Sequence, residues 1–238
     1  MVRSFAELEL EAENVQTLDK LFKLWKDTHE VEPDCIKTFP RLKKNIFPEE
    51  SSFKRSFKTD GVSCELGCTA GLRDKTAEIL FVLKESNILD ENCSVSNDFD
   101  FWFNQAVEGN SAKKKAITVR NNYMKWFSTF MDKYCSDWDS QTPIGYMNLN
   151  KRGGFSKTNY NQLKAYVRKY HRFILKEIEI IAPKVIVLCG CVGEFVLGLM
   201  EANALRIDHA PNGDYQILCV SDSVTPRIIT THHPSARL

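Results

Sequence analysis

Three short polar stretches, each directly following an apolar run, carry residue types from which a binding or catalytic site can be made. Ile79-Leu80-Phe81-Val82-Leu83 runs into Lys84-Glu85-Ser86-Asn87, and Ile144-Gly145-Tyr146-Met147 runs into Asn148-Leu149-Asn150-Lys151-Arg152-Gly153-Gly154. Arg227 to Thr231 runs into His232-His233-Pro234-Ser235-Ala236-Arg237. Together they hold a carboxylate, an amide that presents both a donor and an acceptor, an imidazole that titrates near neutrality, and glycines beside positive charge. Such a set suits a planar, amide-like ligand attached to a phosphate backbone.

The apolar runs read as strands and the text between them as helices. Ser4-Phe5-Ala6-Glu7 has the spacing of a capping box, and Val15, Leu18, Leu21, Phe22 and Trp25 follow at helical spacing, so a helix is predicted to about Thr28. From Glu30 to roughly Lys75, Pro33, Pro40 and Pro48 interrupt any period and basic residues cluster between Arg41 and Lys58, which predicts irregular structure. Beyond it come strands at Ile79 to Leu83 and Ile144 to Leu149, with a helix between them at Ala116 to Tyr134. A long amphipathic helix from about Asn159 to Ile181 leads to strands at Val185 to Cys189, Ile217 to Val220 and Ile228 to Thr231. Continuous apolar strands separated by helices predict an α/β fold: a mostly parallel, four-stranded central sheet with helices on both faces. Ligands on such sheets bind at the carboxyl ends of the strands, where the three polar stretches would converge. The expected organisation is an N-terminal helix and basic segment (1–75) packed on an α/β domain (76–238).

Thirty-two basic residues against thirty-one acidic ones leave a net charge of +1, so no global field attracts nucleic acid and any such contact must be local. The eight cysteines are scattered and several sit in apolar runs, which suits reduced core thiols. No stretch approaches 18 apolar residues and the N-terminus is acidic, so a cytoplasmic, monomeric protein with no membrane contact is expected.

The order of these segments resembles that of the uracil-DNA glycosylase superfamily. Thr231-His232-His233-Pro234-Ser235 looks like its third motif, and Met147-Asn148-Leu149-Asn150-Lys151 is similar to the Thr-Asn-x-x-Lys segment of its iron-sulfur branch. The helix ending at Ala182-Pro183-Lys184, with the apolar strand after it, resembles what lies between those motifs; the likeness covers about residues 78 to 237. Two departures stand out. The first motif lacks the usual Gly and Pro, placing Glu85 where one branch keeps a water-activating Asp and Lys84 where the iron-sulfur branch keeps a Glu. The cysteine pattern also differs: Cys64 and Cys68 have three residues between them and none lies between Cys135 and Cys189, so no cluster, metal or other cofactor is expected.

The resemblance implies a DNA glycosylase that flips uracil or another deaminated base out of single- or double-stranded DNA and hydrolyses the N-glycosidic bond. Asn148 would read the base edge, and Phe99 or Phe101 would stack on the ring. His233 would stabilise the leaving base, while Glu85, with Asn87 as a second candidate, would stabilise the sugar cation and orient water. Lys151, Arg152, Gly153, Ser235 and Arg237 would hold phosphates, with Lys113-Lys114-Lys115 and the Arg41 to Lys58 segment extending the patch. The chain stops at Leu238, where relatives carry a base-stack wedge. The altered first motif leaves open a catalytically silent DNA-binding or regulatory module, or a hydrolase of free nucleosides or nucleotides.

Overall fold

The computed structural model describes residues 3–31, 57, 59–63, 76–87, 132, 144–154, 158–202, 204–209, 215–219 and 226–231. Helix α1 (Phe5–Ala12) opens on the expected capping box, with the Ser4 side chain accepting from the Glu7 N–H and the Glu7 carboxylate accepting from the Ser4 N–H at 2.7 Å. The chain then leaves the helix and resumes it as α2 (Leu18–Val31), so the single helix expected to reach Thr28 is two. Both bury apolar faces in the same core as the sheet: Leu8, Leu18, Leu21, Phe22 and Trp25 share one cluster with Leu80, Met147 and Ile186.

The strands are β1 (Gly61–Ser63), β2 (Ile79–Asn87), β3 (Ile144–Gly154), β4 (Val185–Cys189), β5 (Leu205–His209), β6 (Tyr215–Cys219) and β7 (Arg227–Thr231). They form one sheet in the order β1-β3-β2-β4-β7-β6-β5. The centre, β3-β2-β4-β7, is parallel, whereas β1 is antiparallel to β3 and the β5 and β6 pairings are antiparallel. The expected α/β fold with a four-stranded parallel centre is thus present, widened by antiparallel strands at both margins. All of Ile79 to Val82 is buried, as a parallel sheet covered on both faces requires.

Helices α3 (Tyr160–Lys169), α4 (His171–Ile181) and α5 (Val192–Glu201) complete the described elements. The sequence expectation of one helix from Asn159 to Ile181 is corrected by a break at Tyr170 (φ −99°, ψ 20°), where α3 ends and α4 begins, while Tyr166, Tyr170 and Phe173 stay buried. Helix α4 stops at Ala182, which takes the left-handed conformation (φ 48°, ψ 52°) before Pro183. The Ala77 N–H donates to Ile181 O at 2.9 Å, and the Lys184 and Val185 N–H groups donate to Glu78 O, tying the α4–β4 turn to the start of β2. Gly145 leaves room for this packing: a Cβ there would lie 2.9 Å from Leu80 Cδ1 and 3.3 Å from Ile181 Cγ2, so the Leu80 side chain would have to shift. Among the described residues no helix is long and apolar enough to cross a membrane.

Candidate functional site

Strand β2 lies between β3 and β4, and the chain passes from β2 to β3 on one side before crossing to β4 on the other. The carboxyl ends of β2 and β4 therefore flank a topological switch point, where open α/β sheets form their ligand crevice. Glu85 sits there. The same edge carries Cys191, whose Sγ donates to Val82 O at 3.4 Å, and the first turn of α5 with Glu194.

Burial is the main cause that raises the Glu85 carboxyl to about 7; a hydrogen bond from Thr158 and the charge of Lys84 oppose it, and Glu194 adds to it. A carboxyl at that value exchanges its proton near neutral pH, which suits acid-base or cation-stabilising work. It also has a stability signature. The folded-state value is raised, so Glu85 contributes stability below about pH 4.5 that is lost as pH rises through about 7. The Glu85→Gln variant should therefore gain thermal midpoint relative to the parent between those limits. An unchanged difference across the window would show that Glu85 is solvated.

On the neighbouring strand Leu83 pairs with Asn148 and Glu85 with Asn150, so Glu85 and Asn148 occupy the same face of adjacent strands. Asn148 is half-buried and held by Asp60, which sequence reasoning did not single out. Its backbone N–H donates to Asp60 Oδ2 at 2.7 Å, and its Nδ2 donates to Asp60 Oδ1 at 2.9 Å. Lys151 Nζ also donates to Asp60 Oδ2 and forms an ion pair with Glu177 of α4 at 2.8 Å. The ammonium lies 4.9 Å from the Trp25 ring centre and 5.4 Å from that of Phe22. Burial pushes the Glu177 carboxyl up to about 8, with Lys151 opposing and Asp60 reinforcing the shift.

This geometry corrects the expectation that Lys151 and Arg152 hold phosphates. Strand β3 does not end at Leu149 but continues to Gly154, carrying both cations into the interior, where neither has exposed surface. The Arg152 guanidinium donates to Tyr170 Oη from both terminal nitrogens at 3.4 Å and lies 5.7 Å from the ring centres of Tyr166 and Tyr170. Its backbone N–H donates to Asn150 Oδ1 at 3.0 Å, a side-chain turn that bends the strand end. Lys84 stays near the surface, donating to Tyr160 Oη at 3.1 Å.

Asn87 ends β2, opposite Gly154 across a register shift, and Gly153 lies in β3. Phe99, Phe101, His233, Ser235, Arg237, the Lys113 to Lys115 run and Leu238 lie outside the described residues, as does the helix expected from Ala116 to Tyr134. Cys189 and Cys191 are the buried free thiols expected, both pushed up mainly by burial, Cys191 to about 12. Of the residues missed, Glu177 did leave a signal, because it stands in the apolar stripe of Phe173, Ile174, Ile178 and Ile181. Asp60, beside Gly61 in an irregular stretch, left none.

No protein-family model matches the chain, and no curated protein matches it.

Proposed function

We propose that this chain is a DNA glycosylase-like enzyme that releases uracil or another deaminated base by hydrolysing its N-glycosidic bond. The observation that supports the reading is that Glu85, at the switch point with its carboxyl raised by burial to about 7, shares one face of the sheet with Asn148 on the neighbouring strand, two residues out of register with it. A base held against the amide through its imide edge leaves its sugar to the carboxylate side. Glu85, once ionised, stabilises the positive charge that develops on the sugar and orients the attacking water. In this reading His233, two residues past the end of β7, stabilises the departing base. Phe99 or Phe101 stacks on the ring, and the phosphate contacts fall to Ser235 and Arg237.

One observation favours a second reading. Lys151 and Arg152, the cations expected to hold a DNA strand, are in the interior, which suits a hydrolase of free nucleosides or nucleotides. Both readings are tested by incubating the purified protein with oligonucleotides containing uracil, hypoxanthine, xanthine or mismatched thymine, alongside free deoxyuridine and its monophosphate. The expected result is base release from an oligonucleotide, lost in Asn148→Ala while circular dichroism shows that variant to be folded. DNA binding without base release defeats the enzyme reading for these substrates. Cleavage of the free nucleoside or its monophosphate alone selects the second.

A further inference from the structure

We infer that Asp60 is the residue that makes Asn148 select keto-imide bases over amino bases, acting as a positioning residue through the direction in which it holds the amide. The inference rests on the base-binding reading of Asn148. Asn148 Nδ2 gives one hydrogen to Asp60 Oδ1. Its Oδ1 and its remaining N–H then form an acceptor and donor pair on the opposite edge. That edge complements the N3–H and neighbouring carbonyl of uracil, and it sets two donors and two acceptors against each other for the N3 and amino group of cytosine. A half-turn of the amide would invert the preference at almost no steric cost, because the oxygen and NH2 are nearly the same size. Among the described residues, it is the partner at position 60 that prevents it.

The partner is itself fixed. Asp60 Oδ2 takes the Asn148 backbone N–H and the ammonium of Lys151, and Lys151 is anchored from the other side by Glu177. Asp60 is nearly fully buried, so no bulk water competes for its oxygens. This arrangement predicts the outcome of Asp60→Asn. The new amide must turn its oxygen to the ammonium and the backbone N–H, which both require an acceptor. Its NH2 then faces Asn148, whose own amide must flip to accept from it. The flipped edge presents donor and acceptor in cytosine's order.

The test is the uracil-over-cytosine preference, measured as the dissociation constant for deoxycytidine divided by that for deoxyuridine, and as the rate of uracil release divided by that of cytosine release from matched single-stranded oligonucleotides. Asp60→Asn is expected to lower this ratio by about 10- to 100-fold, on the scale of one bidentate base contact. Folding is checked by circular dichroism. Asp60→Ser serves as a second variant, because its shorter side chain cannot span to the amide and leaves Asn148 free to turn; it too should lose preference. Loss of the preference in a folded variant supports the inference, since a merely structural role would lower binding of both nucleosides alike. A wild-type preference retained in either folded variant overturns the role of Asp60 and leaves the reading of Asn148 standing. A wild-type protein with no preference overturns both.

Discussion

Lys151→Met is expected to destabilise the protein by about 3–5 kcal/mol, the scale for removing one partner of a buried ionic network. Methionine matches the lysine stem in volume, so the cost is electrostatic. Lys151 is wholly buried and is the cation that bridges Asp60 and Glu177. Without it two carboxyl groups face each other away from water, and each must take up a proton or open the core. The sign of the pH dependence follows. Glu177 is already raised to about 8, and losing the lysine that opposes this shift raises it further. A carboxyl raised in the folded state contributes stability at low pH that is lost as pH rises through its folded value. The parent loses the same contribution up to about pH 8, so the Lys151→Met penalty should grow above that value and be larger at about pH 9.5 than at about pH 7, as read by urea denaturation at both. Neutralising all three together, with Asp60→Asn, Lys151→Met and Glu177→Gln, should restore part of the loss. A penalty independent of pH would show that the stem, and not the charge, holds the core.

Trp25→Ala should cost about 3–5 kcal/mol, as for other buried aromatic truncations. The indole has no exposed surface, and its ring centre lies 5.4 Å from that of Phe173, 6.0 Å from those of Phe57 and Tyr170, and 6.4 Å from that of Tyr166. It also forms the floor beneath the Lys151 ammonium, so a cavity there would admit water to the ion pairs. Trp25→Phe should cost much less, because among the described residues the buried indole Nε1–H has no hydrogen-bond partner and its removal exposes no unmet acceptor. Denaturant midpoints decide it. A truncation cost under about 1 kcal/mol would mean that α2 is not integral to the core.

The parallel centre of the sheet was legible because β4 is a continuous apolar run, β2 and β3 open on one and β7 carries Ile228-Ile229 among β-branched residues, a signal that survives without any knowledge of its partners. At the margins β6 was legible as the strand expected at Ile217 to Val220, but β1 and β5 were not. Gly61–Ser63 is three residues long, and Leu205–His209 alternates apolar with charged side chains, so neither reaches the length or composition of a buried strand. The break at Tyr170 was hidden because the apolar stripe passes through it in phase, with no Pro or Gly to mark it. Lys151 and Arg152 misled for a different reason. A cation near glycines reads as a surface loop, yet these two are neutralised or stacked by Asp60, Glu177, Tyr166 and Tyr170, which lie elsewhere in the chain. Local periodicity contains no trace of such pairs. Glu85 and Asn148 were singled out because their chemistry is unusual at a strand end, whereas Asp60, beside Gly61 in an irregular stretch, has no such pattern around it.

Asp60 stands 88 residues from Asn148 and 91 from Lys151 along the chain. Closing loops of that size is costly in chain entropy, and contacts so distant in sequence are slow to form. A ribosome-bound or partly refolded chain can therefore have hairpins and helices in place long before the amide at position 148 has a fixed direction. In the proposed reading, base discrimination becomes a property of the finished molecule, acquired with the last long-range contacts and lost with the first to open.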